Sequence, residues 1–293
     1  MTSKVVPVAV ACIFGVCMFK QQAIAADSQL KPAIGVRAGS EYSTWREADQ
    51  SGGTLLRESG PRGIFSLSLD NLNRGTAGLV YNLTANGYIG DEHYEGQTQT
   101  GIPITSNTGY LGGTAEIAGG YRFEDVMPAF DIDLMAAMGV DKWRRKISDT
   151  HTDTGVFVSG SEENYRIFYA RLGLGLHHVI SNWSHNVQFG AKRPFSTREE
   201  ASLFVSQDCN AAPSVLESFV LHPKGSESFY LKWQINRVSN NNQRKYSMIF
   251  YYDSYQFNMS DTAYGGITGC AAHQPDSHQN VFGAQFGYYF NLF

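Results

Sequence analysis

The sequence predicts an all-β protein, a transmembrane antiparallel up-and-down β-barrel of about ten strands with long extracellular loops and short periplasmic turns. Three observations carry that prediction. Segments of about ten residues alternate apolar and polar side chains along most of the chain, the period of a strand. The 293 residues include 13% aromatic and 17% charged side chains and 30 glycines, at a mean hydropathy of -0.26. Barrels have this balance because each lipid-facing residue is followed by a polar one, so no long apolar run develops. The connections between segments also alternate, long then short, as they do in outer-membrane barrels.

One apolar run does exist, at the start. Lys4 precedes Val5–Phe19, and Ala23-Ile24-Ala25 forms a small-x-small cleavage site. Residues 1–25 therefore read as a cleaved secretory signal peptide, and 26–293 as one barrel domain. The apolar core is too short to span a bilayer comfortably. Cys12 and Cys17 fall within this segment, and Val16 before Cys17 argues against lipidation. Without Lys4 and Lys20 the chain keeps 21 basic and 27 acidic side chains, which excludes the basic footprint of a nucleic-acid partner. No cofactor or metal motif is present. Cys209 and Cys270 remain, and in an oxidising compartment they are expected to form a disulfide.

Taken in order, the first strand alternates Ile34, Val36, Ala38 and Tyr42 with Gly35, Arg37, Gly39 and Glu41. A polar stretch from Arg46 to Gly60 ends at Pro61, a loop signal. Phe65, Leu67 and Leu69 make the second strand, and 71–75 a short turn. The third carries Leu79, Tyr81, Leu83 and Ala85, and a long connection spans Gly90 to Thr108. The fourth presents Leu111, Ala115, Ile117 and Tyr121, the fifth Phe130 through Val140 in steps of two. After a loop from Asp141 to about Glu163 come Phe168, Ala170, Leu172, Leu174 and Leu176. A short turn at 180–182 leads to Val187, Phe189 and Ala191. The longest connection is 193–227. Phe229, Leu231, Trp233 and Ile235 follow, then a turn at 239–243, a strand over 246–255, a loop over 257–278 and the terminal strand.

An even count with alternating connections puts both termini in the periplasm. One segment leaves an alternative of twelve strands: 201–205 and 215–221 inside the longest connection would form a further pair. That pair would place Cys209 in a periplasmic turn, away from Cys270 in an outer loop. Ten strands keep both cysteines outside. Tyr42, Trp45, Tyr88, Tyr121, Trp143, Trp183, Tyr255 and Phe293 lie near strand ends, where headgroup-level girdles are expected.

The terminal strand VFGAQFGYYFNLF puts Phe282, Ala284, Phe286, Tyr288 and Phe290 on one face. Within it, Gln285-x-Gly287-x-x-Phe290-x-Leu292 resembles the C-terminal signal that hands outer-membrane barrels to their assembly machinery, although Phe293 extends one residue further. The resemblance implies the outer membrane of a Gram-negative bacterium, with its lipid, its lipopolysaccharide and the assembly machinery as partners.

Function is less legible. Arg37, Glu41, Asp70, Glu116, Asp131, Asp133, Arg171, Lys192 and Lys232 fall on the predicted inner face. Only barrels much wider than eight strands leave an open channel. A filled, ion-paired interior is therefore favoured, with a narrow pore kept open by lumen glycines such as Gly35, Gly112, Gly173 and Gly283. Two loop clusters carry groups able to activate water: Asp149, His151 and Asp153, and His273, Asp276 and His278. In size and strand count the chain resembles the omptin proteases, whose outer-rim site uses Asp and His. No omptin sequence motif occurs, so no residue roles transfer. His177, His178 and Ser181 sit at a periplasmic turn and match no lipase pattern. The basic tract Trp143-Arg144-Arg145-Lys146 is placed to meet lipopolysaccharide phosphates. The expected role is structural, binding or narrow-pore; the alternative is an outer-membrane hydrolase with a rim Asp/His site.

Overall fold

A computed structural model describes residues 32–49, 51–72, 76–98, 101–127, 130–206, 214–238 and 244–291. The signal segment, Cys209, Leu292 and Phe293 lie outside the described residues. The strands are β1 (Ala33–Ala48), β2 (Thr54–Asp70), β3 (Gly78–Gln97), β4 (Pro103–Met127) and β5 (Phe130–Ile147). A small hairpin follows, β6 (Thr150–His151) and β7 (Phe157–Val158), then β8 (Glu162–Ile180), β9 (Trp183–Ser206) and β10 (Ser214–Leu221). Next come β11 (Lys224–Gly225), β12 (Ser228–Val238), β13 (Arg244–Asn258), a second small hairpin β14 (Ala263–Tyr264) and β15 (Ala271–Ala272), and β16 (Asp276–Asn291).

Ten of these close into a barrel, in the order β1, β2, β3, β4, β5, β8, β9, β12, β13, β16 and back to β1, with every neighbouring pair antiparallel. Closure is the reason that the alternation in the sequence becomes an inside and an outside. On β16, Gln285 and Tyr289 are buried inward, while Phe282, Phe286 and Phe290 are exposed outward. The same outward exposure holds for Leu67, Leu83, Ile117, Leu134, Leu172 and Phe229 on other strands. On β5 the outward series Phe130, Ile132, Leu134, Ala136, Met138 and Val140 gives way to Lys142. At ~3.3 Å per residue and a tilt of ~40° that series covers about 25 Å, the height of a lipid-facing band.

The strands outrun the bilayer. β3 has 20 residues, β4 has 25 and β9 has 24, whereas ~9–11 suffice to cross. The expected loop over 90–108 is mostly paired strand, with Asp91 opposite Gly109 and Glu95 opposite Thr105. The physical reason is plain. Above the membrane the outer face is solvated, so the apolar half of the alternation stops while backbone pairing continues.

The twelve-strand alternative has a similar resolution. Residues 201–205 are strand, but as the outer half of β9, and β10 pairs with that half alone, from Ser206 back to Glu199. β12 pairs with the lower half of β9. The pair is an extracellular arm, and the barrel keeps ten strands.

The girdle assignment needs correction. Tyr42, Tyr121 and Trp183 do face outward, but Trp45, Tyr88, Trp143 and Tyr255 are buried in the lumen. Closeness to a strand end says nothing about which face a residue takes. Register parity decides that.

Candidate functional site: the lumen and its extracellular mouth

The lumen is filled from both ends. At the periplasmic end Arg122 donates to both oxygens of Asp133 at 2.7 and 2.8 Å, and to the carbonyl of Leu72 at 3.1 Å. Leu72, from the turn after β2, packs there against Val80, Ala118 and Met135. Beside this plug Arg37 donates to Ser68 and to Tyr289, at 2.7 and 2.9 Å. The Tyr289 hydroxyl also accepts from Gln234 across the lumen.

Midway up, Arg171 bridges Asp253 at 2.6 Å and Glu116 at 3.3 Å. Lys192 reaches Asp253 at 2.8 Å with its ammonium 3.3 Å from the ring centre of Tyr255. Tyr88 and Tyr255 donate to opposite oxygens of Asp141. Glu116, Arg171, Asp253, Tyr88, Tyr255 and Asp141, with Lys232, line a chamber of about 150 Å³, room for about five waters at ~30 Å³ each.

Of the glycines expected to leave room, Gly35, Gly112 and Gly283 are seats for tyrosines. A Cβ on Gly283 would lie 2.1 Å from the Tyr251 ring, and one on Gly112 would lie 2.6 Å from Tyr88. The bare backbone lets each ring lie over its cross-strand partner on the neighbouring strand.

An aromatic and ionic cluster packs into the extracellular end. Trp143 stacks on Tyr165 at 5.0 Å, and Trp45 meets Tyr165 edge-on at 5.7 Å. Arg145 grips Glu58 with Nε and Nη2 at about 3 Å and also bonds Glu163 and Glu47. Thr108 and Tyr110 donate to Glu58 as well. Arg62 binds Glu41 at 2.6 Å and lies over the Tyr88 ring. Three buried carboxylates, Glu47, Glu58 and Glu163, thus converge on Arg145, while Arg62 pairs with Glu41 and lies 3.8 Å from the buried Glu92. Both oxygens of Glu92 and Oε2 of Glu199 accept no hydrogen bond among the described residues.

All nine lumen charges named above, Asp131 included, lie on inward-facing positions. Sequence reasoning missed Glu47, Glu58, Arg62, Glu92, Arg122, Asp141, Arg145, Glu163, Glu199 and Asp253. Most fall where the apolar alternation ends. The signal available was parity: Trp143 and Arg145 continue the inward series of β5, and Arg144 and Lys146 the outward one. The tract 143–146 is therefore split between the two faces.

The rim candidates occupy separate loops. Asp149 accepts from the backbone of Gly160, at the base of the β6–β7 hairpin. His151 meets Phe157 edge-on, and Asp153 is exposed. Across the mouth, His273 is exposed, Asp276 accepts from the Met259 backbone, and His278 sits between Arg46 and Gln256. β8, β9 and β12 separate the two loops, and no group of three His, Cys, Asp or Glu able to hold a metal occurs among the described residues.

A different relay does form, at the periplasmic end. His177 lies 3.3 Å from Asp131 through Nδ1 and 3.2 Å from the Ser184 hydroxyl through Nε2. Ser184 and His177 are each 1% exposed.

Outside the barrel, the arm is latched to the loop that bears Cys270. Glu217 of β10 accepts from the backbone of Ile267 at 2.7 Å, and from the backbone and hydroxyl of Thr268. The Thr268 hydroxyl first, then these amides, hold the Glu217 carboxyl below the usual carboxylate range. Phe219 and Leu221 pack with Ala201 and Val205, against Ala263 and Ala272.

No family model matches the chain, and no curated protein does either. Among solved structures, the outer membrane protease OmpT from Escherichia coli aligns at a TM-score of 0.57 and 8% identity, over 89% of this chain and 97% of that one. The fold is that of a Gram-negative outer-membrane β-barrel. The translocator domain of the autotransporter NalP from Neisseria meningitidis aligns at 0.38 and 10% identity, over 91% and 90% of the two chains. At these identities the likeness extends to the fold alone.

Replacing Arg145 by Met leaves Glu58 buried without its cation and is expected to cost about 3–5 kcal/mol. The double variant Arg145→Met/Glu58→Gln should recover much of that loss. Urea unfolding in lipid vesicles measures both, and a loss under 1 kcal/mol for the single variant would contradict the plug's structural weight.

Proposed function

We propose that the protein is an integral outer-membrane barrel with a sealed lumen, acting as a structural or binding protein through the part that stands above the bilayer. The observation that carries this reading is the packing of side chains into the lumen near both ends, the Arg145 cluster towards the outside and the Arg122–Asp133–Leu72 cluster towards the inside. The exported barrel domain, the cleaved signal peptide and delivery through the Gln285–Leu292 signal belong to the same reading. Gln285 faces the lumen, where it accepts from Arg37 and Ser66, and Phe290 faces lipid.

The Cys209–Cys270 disulfide also belongs to this proposal. Cys209 falls in the connection from β9 to β10, and Cys270 is buried in the loop that the arm grips through Glu217. A bridge there would tie the arm down covalently where hydrogen bonds already hold it.

A hydrolase remains the second reading, moved from the rim to the Asp131–His177–Ser184 relay. A carboxylate that orients an imidazole towards a hydroxyl is the arrangement that activates a serine. Burial of Ser184 ranks this reading second, because a substrate needs an opening to reach the hydroxyl.

Purified protein in planar bilayers should show no current steps, and regular steps in the wild type would overturn the sealed-lumen reading. On a non-reducing gel the folded protein should migrate faster than after reduction, a difference that Cys209→Ser abolishes. A fluorophosphonate probe should leave Ser184 unlabelled; labelling of the wild type that Ser184→Ala removes would promote the hydrolase.

A further inference from the structure

The pairings inside the barrel leave one lysine unmatched. Of the carboxylates lining the central chamber, Glu41 pairs with Arg62, and Glu116 and Asp253 pair with Arg171. Asp253 also holds Lys192, and Asp141 accepts from two tyrosine hydroxyls. Lys232 lines the same chamber, yet it makes no hydrogen bond and no ion pair among the described residues. Arg37 has no carboxylate partner among them either, because its bonds go to the neutral groups of Gln285, Ser68 and Tyr289.

The strand register brings a second donor beside the lysine. Lys232 on β12 stands directly opposite Gln188 on β9, and both residues occupy inward positions. The buried Gln188 amide Nε2 has no acceptor among the described residues, and neither have Arg171 Nε and Arg62 Nη1 on the chamber lining. Against these donors stands one acceptor of the lining without a donor, Asp253 Oδ1, whose other oxygen already bonds two cations. The chamber is thus rich in donors. Water can accept such hydrogen bonds, but it cannot balance an ammonium enclosed in a low-dielectric wall. An anion does both.

We propose that the chamber binds one small monovalent anion of halide size, held by the Lys232 ammonium and the Gln188 amide. About 150 Å³ accommodates such an ion with a few waters. Tyr251, the other cross-strand neighbour of Lys232, donates to Glu41, which leaves the ammonium to the ion. In a lumen packed near both ends the ion is taken up as the barrel closes and becomes part of its filling. That uptake rests on the sealed-lumen reading, whereas the binding itself needs only the chamber.

The test uses the full chain in neutral detergent, refolded in sodium gluconate or in sodium bromide at equal ionic strength. Thermal unfolding, read by heat-modifiable migration, should require a higher temperature in bromide, with a saturable dependence on its concentration. Lys232→Met, which removes the charge and keeps the bulk, should abolish the dependence without losing stability in gluconate. Lys232→Arg should retain it. Gln188→Leu should raise the half-saturating bromide concentration about 5-fold, the loss of one hydrogen bond. Crystals grown in bromide should show an anomalous peak beside Lys232. Equal stability of the wild type in both salts would overturn the proposal, as would a bromide dependence that survives in Lys232→Met or an anomalous peak confined to the outer surface. Current steps in planar bilayers would instead overturn the sealed lumen and leave the bromide response in place, so the two failures are distinguishable.

Discussion

A bilayer offers backbone amides and carbonyls no water, so each must find its partner within the protein. That constraint governs this molecule, and the seam between β1 and β16 is where it is met. The two strands pair without interruption from Ala33 opposite Asn291 to Ala48 opposite Asp276. With the seam closed there is no edge in the hydrocarbon, and every outward residue can be apolar without inviting another chain. The aromatic face of β16 is therefore a consequence of closure as much as a cause of membrane residence.

Closure also confines the inside. Ten strands enclose a narrow lumen in which tyrosine rings lie over the neighbouring strand where glycine leaves it bare, Tyr169 over Gly139 and Tyr251 over Gly283. Charged groups in so narrow a space must meet partners, and most do. Arg122 with Asp133 and Arg171 with Glu116 and Asp253 are matched pairs. The outer cluster differs, because its carboxylates outnumber the cations among them. The extracellular end of the lumen thus holds more carboxyl groups than cations, while the neighbouring outer wall on β5, β8 and β9 is basic.

Above the bilayer the physics changes. Water satisfies unpaired groups, so strands are free to continue, stop or fold back. β9 continues and carries β10 as an arm, latched by Glu217 to the loop containing Cys270. Contacts of this kind, made outside the hydrocarbon, are where members of one barrel architecture come to differ in function. The likeness to a protease fold therefore says little about activity here.

The period-2 pattern alone determined the lipid faces of the crossings and the inward position of charges such as Arg37, Glu41 and Asp133, and left their number at ten or twelve until the pairing of β9 decided it. Alternation is a local property enforced by the bilayer, so it is written into every crossing. Where the bilayer ends, that enforcement ends too. Residues 90–108 and 193–206 looked like loops because their pairing leaves no hydropathy signature, and Trp45 and Trp143 looked like girdle residues because a strand end was mistaken for a face. Which distant groups meet was decided by register and closure: Glu58 with Arg145, Asp131 with His177 and Ser184, Lys142 beside Arg166. Glu58 and Arg145 stand on β2 and β5, and only the closed barrel brings them within a hydrogen bond of one another; the other contacts join neighbouring strands, where register alone sets which groups meet.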